Sequence, residues 1–270
     1  MENGDLIIFD SVVSPASHTI EAFQNIMSTY NDSSSLKWYE CTTIAEVFNS
    51  IHYNTIWISN QKEYGFYENI PSRYAKLCKE YYFCDNQNKN THDEDIFPLL
   101  TTKEGKNIYF IHLMGQHVAF SERYPKSFDY FKDSDYKTFP IQQREIRASY
   151  DNATLYNDYI IDSIISYFKK EESIIIYLSD HAIDLYQTDD NYYGHAKNND
   201  YESELISKEI PFMMYLSPLY KNNFIEKSLE IKKNKNRNFN SQNLIFTIMD
   251  IAGYKFKDNN DVAKYSLLCP

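Results

Sequence analysis

Short apolar runs rich in β-branched and aromatic residues alternate along this chain with segments of helical period, and that alternation dictates a layered α/β fold. Five runs are expected as strands: Leu6 to Val13, Thr55 to Ser59, Ile108 to Leu113, Ser173 to Ser179 and Pro211 to Leu216. Three of them are nearly all apolar, as strands buried on both faces of a largely parallel sheet should be. Helices are expected to fill the gaps and cover both faces. One follows Thr19, a second begins at the capping box Thr43-x-x-Glu46, and a third starts near Ser241 and stops at Gly253, where a left-handed C-cap fits. The longest is expected from about Gln142 to Lys170, with Ile146, Tyr150, Ala153, Ile160, Ile164 and Phe168 as its apolar stripe. Polar stretches at Asp85 to Asp95, Asp184 to Glu204 and Lys221 to Asn240 read as surface loops, the last as a Lys/Asn-rich insertion.

Composition narrows the class. A chain of 270 residues can bury one large core, and no repeat or linker marks a boundary, so a single domain over residues 1–270 is expected. A hydrophobic fraction of 43%, including 25 Tyr and 17 Phe, argues for a packed interior and against disorder. The net charge of −11 disfavours non-specific binding to nucleic acid, leaving a local basic patch for anionic lipid as the exception. No run approaches the roughly 18 apolar residues that span a bilayer, and MENGDLIIFD lacks a basic segment before an apolar one. Neither an export signal nor a membrane span is therefore expected in the chain as written. Cys41, Cys78, Cys84 and Cys269 form no CxxC pair, which argues against a zinc knuckle; Cys78 and Cys84 at most close a short disulfide loop.

In open α/β sheets, ligands bind beyond the carboxyl ends of strands, and three such ends carry reactive side chains here. Asp180 and His181 follow the run IIIYLS; HLMGQH brings His112 and His117; SPASHT brings Ser14, Ser17, His18 and Thr19. Asp180 and His181 offer the oxygen and nitrogen donors that Zn²⁺ accepts, although a capping aspartate beside a packed histidine has the same signature. Thr19 stands at an expected helix start, where free N–H groups and the dipole favour a phosphoryl group on its hydroxyl. A threonine is a weak nucleophile without a metal or base, and the same position also suits an ordinary N-cap. His117 and His195 lie in Gly-containing loops and suit phosphoryl binding or leaving-group protonation, or else a plain surface role. His18, His52 and His92 are taken as structural.

The segments SPASHT, TIWISNQ, HLMGQHVAFSERYP, YLSDH and YYGH, followed by EIPFMMYLS, occur in the order found in bacterial phosphoethanolamine transferases. The chain resembles their catalytic domain, of the alkaline phosphatase and sulfatase superfamily, from roughly Leu6 to Tyr254. The resemblance implies an α/β domain with a mostly parallel central sheet flanked by helices on both faces. It makes Thr19 the nucleophile, Asp180 and His181 ligands of Zn²⁺ shared with Thr19, and His117 and His195 ligands of phosphate or of a second zinc ion. The implied reaction moves phosphoethanolamine from phosphatidylethanolamine to lipid A, a core sugar of lipopolysaccharide or another envelope glycan, through a phosphothreonine-type intermediate. The implied place is the periplasmic face of the bacterial inner membrane, and a monomer is expected.

The pattern also departs from the family. The family's first strand ends in Gly-Glu and supplies another metal ligand, whereas Glu2-Asn3-Gly4 does not match it. SDHGE reads SDHAID, and the glycine that follows the second histidine of the HLMG motif is Val118. The family's membrane-spanning region is expected to be missing, and the 270 residues alone are expected to turn over poorly. A phosphatase- or sulfatase-type hydrolase using the same site, and a degenerate relative without catalysis, are the competing expectations.

Overall fold

The computed structural model describes residues 5–31, 33–65, 69–84, 91–196, 201–255 and 261–268. The chain runs β1 (Asp5–Phe9), β2 (Val12–Val13), α1 (Thr19–Ile26), α2 (Ile44–Ser50), β3 (Asn54–Ser59), α3 (Asn69–Ala75), β4 (Glu80–Phe83), β5 (Asn107–His112) and α4 (Ile141–Phe168). It continues through β6 (Ile174–Leu178), β7 (Asp184–Leu185), β8 (Tyr193–Gly194), α5 (Tyr201–Lys208), β9 (Phe212–Leu216), α6 (Pro218–Asn223), α7 (Ile225–Lys233), β10 (Phe239–Asn240), α8 (Leu244–Ile251) and α9 (Asp261–Tyr265). The class is α/β, as the alternation of runs required.

Two compact units form, and neither is continuous in sequence. The first comprises Met1–Ile44, Ile165–Ile183 and Asn198–Pro270; the second comprises Ala45–Ile164 and Asp184–Lys197.

The first unit is built on a sheet of order β1-β9-β6. β9 runs antiparallel to both neighbours, with Phe9 opposite Phe212 and Phe212 opposite Leu178. The apolar run FMMYL is buried at Phe212, Met214, Tyr215 and Leu216, so its composition records burial on two faces and not strand direction. Phe9 meets the Phe212 ring edge-on at 5.2 Å between centroids, and Phe212 meets Phe239 at 5.7 Å. The expected strand Leu6 to Val13 breaks after Phe9, and Val12–Val13 leaves to pair in parallel with β10. Asp10 N–H donates to Lys235 O at the break, which redirects the backbone. The stretch from Lys221 to Asn240 is not a loop: it holds the end of α6, all of α7 and β10. Its Lys, Glu, Leu and Ile residues are good to fair helix formers, yet only Ser228 and Ile231 of α7 are buried, so the apolar period is faint.

The second unit carries an all-parallel sheet of order β4-β3-β5. β3 fills its centre and is buried from Thr55 to Ser59. β4 was hidden in the sequence by the mixed string EYYF, whose Tyr81 and Tyr82 are exposed. α4 buries Ala153 and Ile160 along the expected stripe, while Ile146 and Tyr150 stay half-buried. β7 and β8 form a small antiparallel hairpin within Asp184 to Glu204, and α5, which belongs to the first unit, follows, so that stretch is also structured; residues 197–200 lie outside the described residues. Residues 85–90 lie outside them as well, but Asp93–Leu99 forms a short 3₁₀ helix with Asp93 buried, against the expected surface loop. Cys41, Cys78 and Cys84 are free thiols, so Cys78 and Cys84 close no loop. Burial raises the Cys78 thiol to about 12 and the Cys84 thiol to about 11, which favours the protonated form of both.

Candidate active site

Strand direction assembles the site in the first unit. Because β1 and β6 both run against β9, their carboxyl ends Phe9 and Leu178 lie at the edge where β9 begins. The two ends are two strand spacings apart, roughly 10 Å. The segment entering β9 ties both following loops down. Ser14 N–H donates to Lys208 O at 2.7 Å, and Ala182 N–H donates to Ser207 O at 2.8 Å. Ser14, 2% exposed, also donates its hydroxyl to the Asp180 carbonyl and so joins one loop directly to the other. Ser179 Oγ donates to His181 O at 2.5 Å, which tightens the turn after β6.

The result is a contact between residues 162 positions apart: Thr19 Oγ1 lies 3.2 Å from His181 Nε2. Thr19 is the first residue of α1, and the N-cap is His18, whose side chain caps nothing. The threonine hydroxyl is therefore not spent on capping. His181 is 8% exposed, and its Nδ1 lies 2.9 Å from Ala182 O. A carbonyl only accepts, so Nδ1 carries the hydrogen and the lone pair of Nε2 faces Thr19. Asp180 Oδ2 lies 3.7 Å from the same Nε2. Ser17 Oγ pairs with His18 Nδ1 at 3.1 Å beside the helix start.

These donors suit a zinc ion: a carboxylate, an imidazole with its tautomer fixed and a hydroxyl. Ligands about 2.1 Å from a tetrahedral ion stand roughly 3.4 Å apart, between the 3.2 and 3.7 Å separations from His181 Nε2. No group of three or more His, Cys, Asp or Glu side chains that could hold a metal occurs among the described residues. A zinc here would rest on two such side chains and Thr19.

His117 and His195 belong to the second unit. His117 follows the turn Met114–Gly115 beyond β5, and His195 follows Gly194 at the end of the β7–β8 hairpin. Phe120 and Tyr193 bring the two loops together, with ring centroids 5.9 Å apart. Gly194 has φ +145, and a Cβ there would stand 3.1 Å from Tyr192 Oη, which itself donates to His195 O at 2.8 Å. Any other residue at 194 would strain the backbone and press the Tyr192 hydroxyl away from its place at the His195 backbone. The other imidazoles take local roles. His112 Nδ1 pairs with Ser59 Oγ at 3.1 Å, His52 sits in a left-handed turn ahead of β3, and His92 is the N-cap of the 3₁₀ helix.

Two residues escaped the sequence reading. Ser14 was visible only as one hydroxyl among several, and its bond to Asp180 depends on a strand order that local pattern does not encode. Asp93 sits in the charged string HDED, which has the signature of a solvated loop, yet it is 2% exposed. Its Oδ1 accepts from Asn60 Nδ2 at 2.9 Å and from Met114 N–H at 2.8 Å, and its Oδ2 from Gly115 N–H at 2.8 Å. Burial raises the Asp93 carboxyl above the ordinary aspartate value, against the pull of these three donors.

The family model described as Sulfatase matches residues 2–254. The chain belongs to the sulfatase family. Among relatives of this sulfatase-family chain, the phosphoethanolamine transferase EptC of Escherichia coli K12 is 24% identical over 264 residues, 93% of the chain and 45% of that protein. The phosphoethanolamine transferase CptA of Salmonella typhimurium is 25% identical, with the same two shares. The chain thus spans about half the length of the curated relatives it matches. Two crystal structures of the C-terminal periplasmic domain of Escherichia coli EptC share the fold. One superposes with a TM-score of 0.86 at 23% identity over 98% of the chain and 75% of that domain. The other, a complex with Zn, gives 0.85 at 23% identity over 100% and 76%. The soluble domain of lipooligosaccharide phosphoethanolamine transferase A from Neisseria meningitidis gives 0.72 at 18% identity, over 91% and 76%. No helix among the described residues is long and apolar enough to cross a membrane.

Proposed function

We propose that this chain carries the catalytic part of a metal-dependent phosphoethanolamine transferase, with Thr19 as the residue that bears the transferred group. The observation that carries the reading is the 3.2 Å contact of Thr19 Oγ1 with the lone pair of His181 Nε2, beside the Asp180 carboxylate. The names of the relatives support transfer over hydrolysis. Zinc held by Asp180, His181 and Thr19 would offset charge on the phosphoryl oxygens and favour the threonine alkoxide.

In the first half-reaction Thr19 Oγ1 forms a bond to the phosphorus of phosphatidylethanolamine, and the bond from phosphorus to the diacylglycerol oxygen breaks. Diacylglycerol leaves with a proton. In the second, a hydroxyl or phosphate oxygen of an envelope glycolipid such as lipid A forms the bond to phosphorus, and Thr19 Oγ1 departs and regains its proton. The start of α1 at Thr19 would offer backbone N–H groups and the helix dipole to the phosphoryl oxygens. The tautomer fixed at Ala182 keeps His181 Nε2 available on the Thr19 side throughout. The reading gives His117 and His195 the phosphoryl oxygens, a second zinc ion or the leaving-group proton, roles an imidazole suits. It also places the active protein at the periplasmic face of the inner membrane. If water replaced the glycolipid, the same intermediate would make the chain a hydrolase.

The test is to incubate the protein with zinc and a short-chain phosphatidylethanolamine, quench in acid and map adducts by peptide mass spectrometry. Phosphoethanolamine on the Thr19 peptide, absent in Thr19→Ala, is the expected result. Adduct on another residue, or equal labelling of Thr19→Ala, overturns the assignment. Free phosphoethanolamine without a modified glycolipid would favour the hydrolase.

A further inference from the structure

We propose that Asp93 is the positioning residue for His117, a claim that rests on the reading that His117 acts on the phosphoryl group. Asp93 fixes the turn that precedes His117: its two carboxylate oxygens take the N–H groups of Met114 and Gly115, and Asn60, at the carboxyl end of β3, anchors the carboxylate from behind. Gly115 has φ +54, a left-handed conformation in which its N–H points back at Asp93. His117 N–H then closes on Met114 O at 3.3 Å. On the far side of His117, Arg123 Nε donates to Val118 O at 3.3 Å, the same carbonyl that His117 Nδ1 approaches at 3.4 Å.

A buried carboxylate with three N–H donors is more than the fold of a surface turn requires. The geometry differs from ordinary capping because both oxygens are used and the donors come from two strand ends, β3 and β5. An asparagine at 93 has one acceptor oxygen and one donor group, so at least one of the Met114 and Gly115 N–H groups would face N–H and the turn would open. Removing Asn60 instead leaves both turn bonds in place.

The experiment compares Asp93→Asn, Asn60→Ala and His117→Ala in the full 270-residue chain. The readouts are the His117 imidazole ¹H–¹³C resonance, the melting temperature and the affinity for free phosphoethanolamine. Asp93→Asn is expected to shift the His117 resonance and weaken phosphoethanolamine roughly tenfold, as His117→Ala does. Asn60→Ala is expected to lower the melting temperature while the His117 resonance stays where it is. Amide exchange in the unaltered protein adds a test that needs no variant: Met114 and Gly115 should be protected to the level of β5. An unmoved His117 resonance in folded Asp93→Asn overturns the proposal, and so does unprotected exchange at Met114 and Gly115. If the resonance shifts but His117→Ala binds phosphoethanolamine normally, positioning by Asp93 stands and the phosphoryl role of His117 falls.

Discussion

Thr19 Oγ1 reaches His181 Nε2 at 3.2 Å because β1 and β6 flank one antiparallel strand and end at the same edge of the sheet. The hydroxyl stands at the first position of α1, after the N-cap His18, so its bond to His181 and not a cap is what it contributes to stability.

Thr19→Ala should lower folding stability by about 1 kcal/mol, the typical worth of its hydrogen bond to the buried His181, and leave the protein folded. Urea unfolding of the variant beside the parent chain checks this, with adduct formation lost in the same sample.

Zinc affinity should follow the order of contact. His181→Ala removes a direct donor and should weaken zinc more than about 100-fold, while Ser14→Ala frees the Asp180 carbonyl and should weaken it roughly tenfold. Competition with a chromogenic chelator measures both, and equal affinity in His181→Ala would place the ion elsewhere.

Ser217 is fully buried and its hydroxyl accepts from Tyr220 N–H at 3.1 Å and from Ser173 N–H at 3.0 Å. Ser217→Ala removes the N-cap of α6 and leaves the Ser173 N–H unsatisfied at the start of β6, a loss of about 2 kcal/mol. The midpoint of urea unfolding should fall with the slope unchanged.

The Lys232 ammonium, 2.5 Å from Asp5 Oδ2, holds the Asp5 carboxyl below the usual aspartate value, with Lys221 adding to it. A carboxyl depressed in the folded state contributes stability above the unfolded value, near 4, and loses it as pH falls through the folded value. The pair is largely solvated, so Asp5→Asn should lower stability at pH 7 by only about 0.5 kcal/mol, less in high salt. Unfolding curves at pH 7 and pH 2 should show that difference close to zero at the lower pH.

The five main strands and the helix after Thr19 were legible in the sequence because burial on two faces and helical period leave strong local traces. Direction left none: the apolar run of β9 looks the same running parallel or antiparallel, and only its pairing with β1 and β6 shows which. α7 was hidden because only Ser228 and Ile231 face inward along it. No boundary was visible because each unit is assembled from pieces separated in sequence. At the site, Thr19, Asp180 and His181 could be singled out by residue type and strand end. Ser14 and Asp93 could not, since their partners come from other strands and their neighbours are polar.

The most direct measurement is anomalous diffraction at the zinc edge from crystals of the chain grown with Zn²⁺. A peak about 2.0–2.2 Å from an Asp180 carboxylate oxygen and from His181 Nε2, with Thr19 Oγ1 beside it, is the predicted result. Zinc bound with full occupancy away from these three residues would contradict the account.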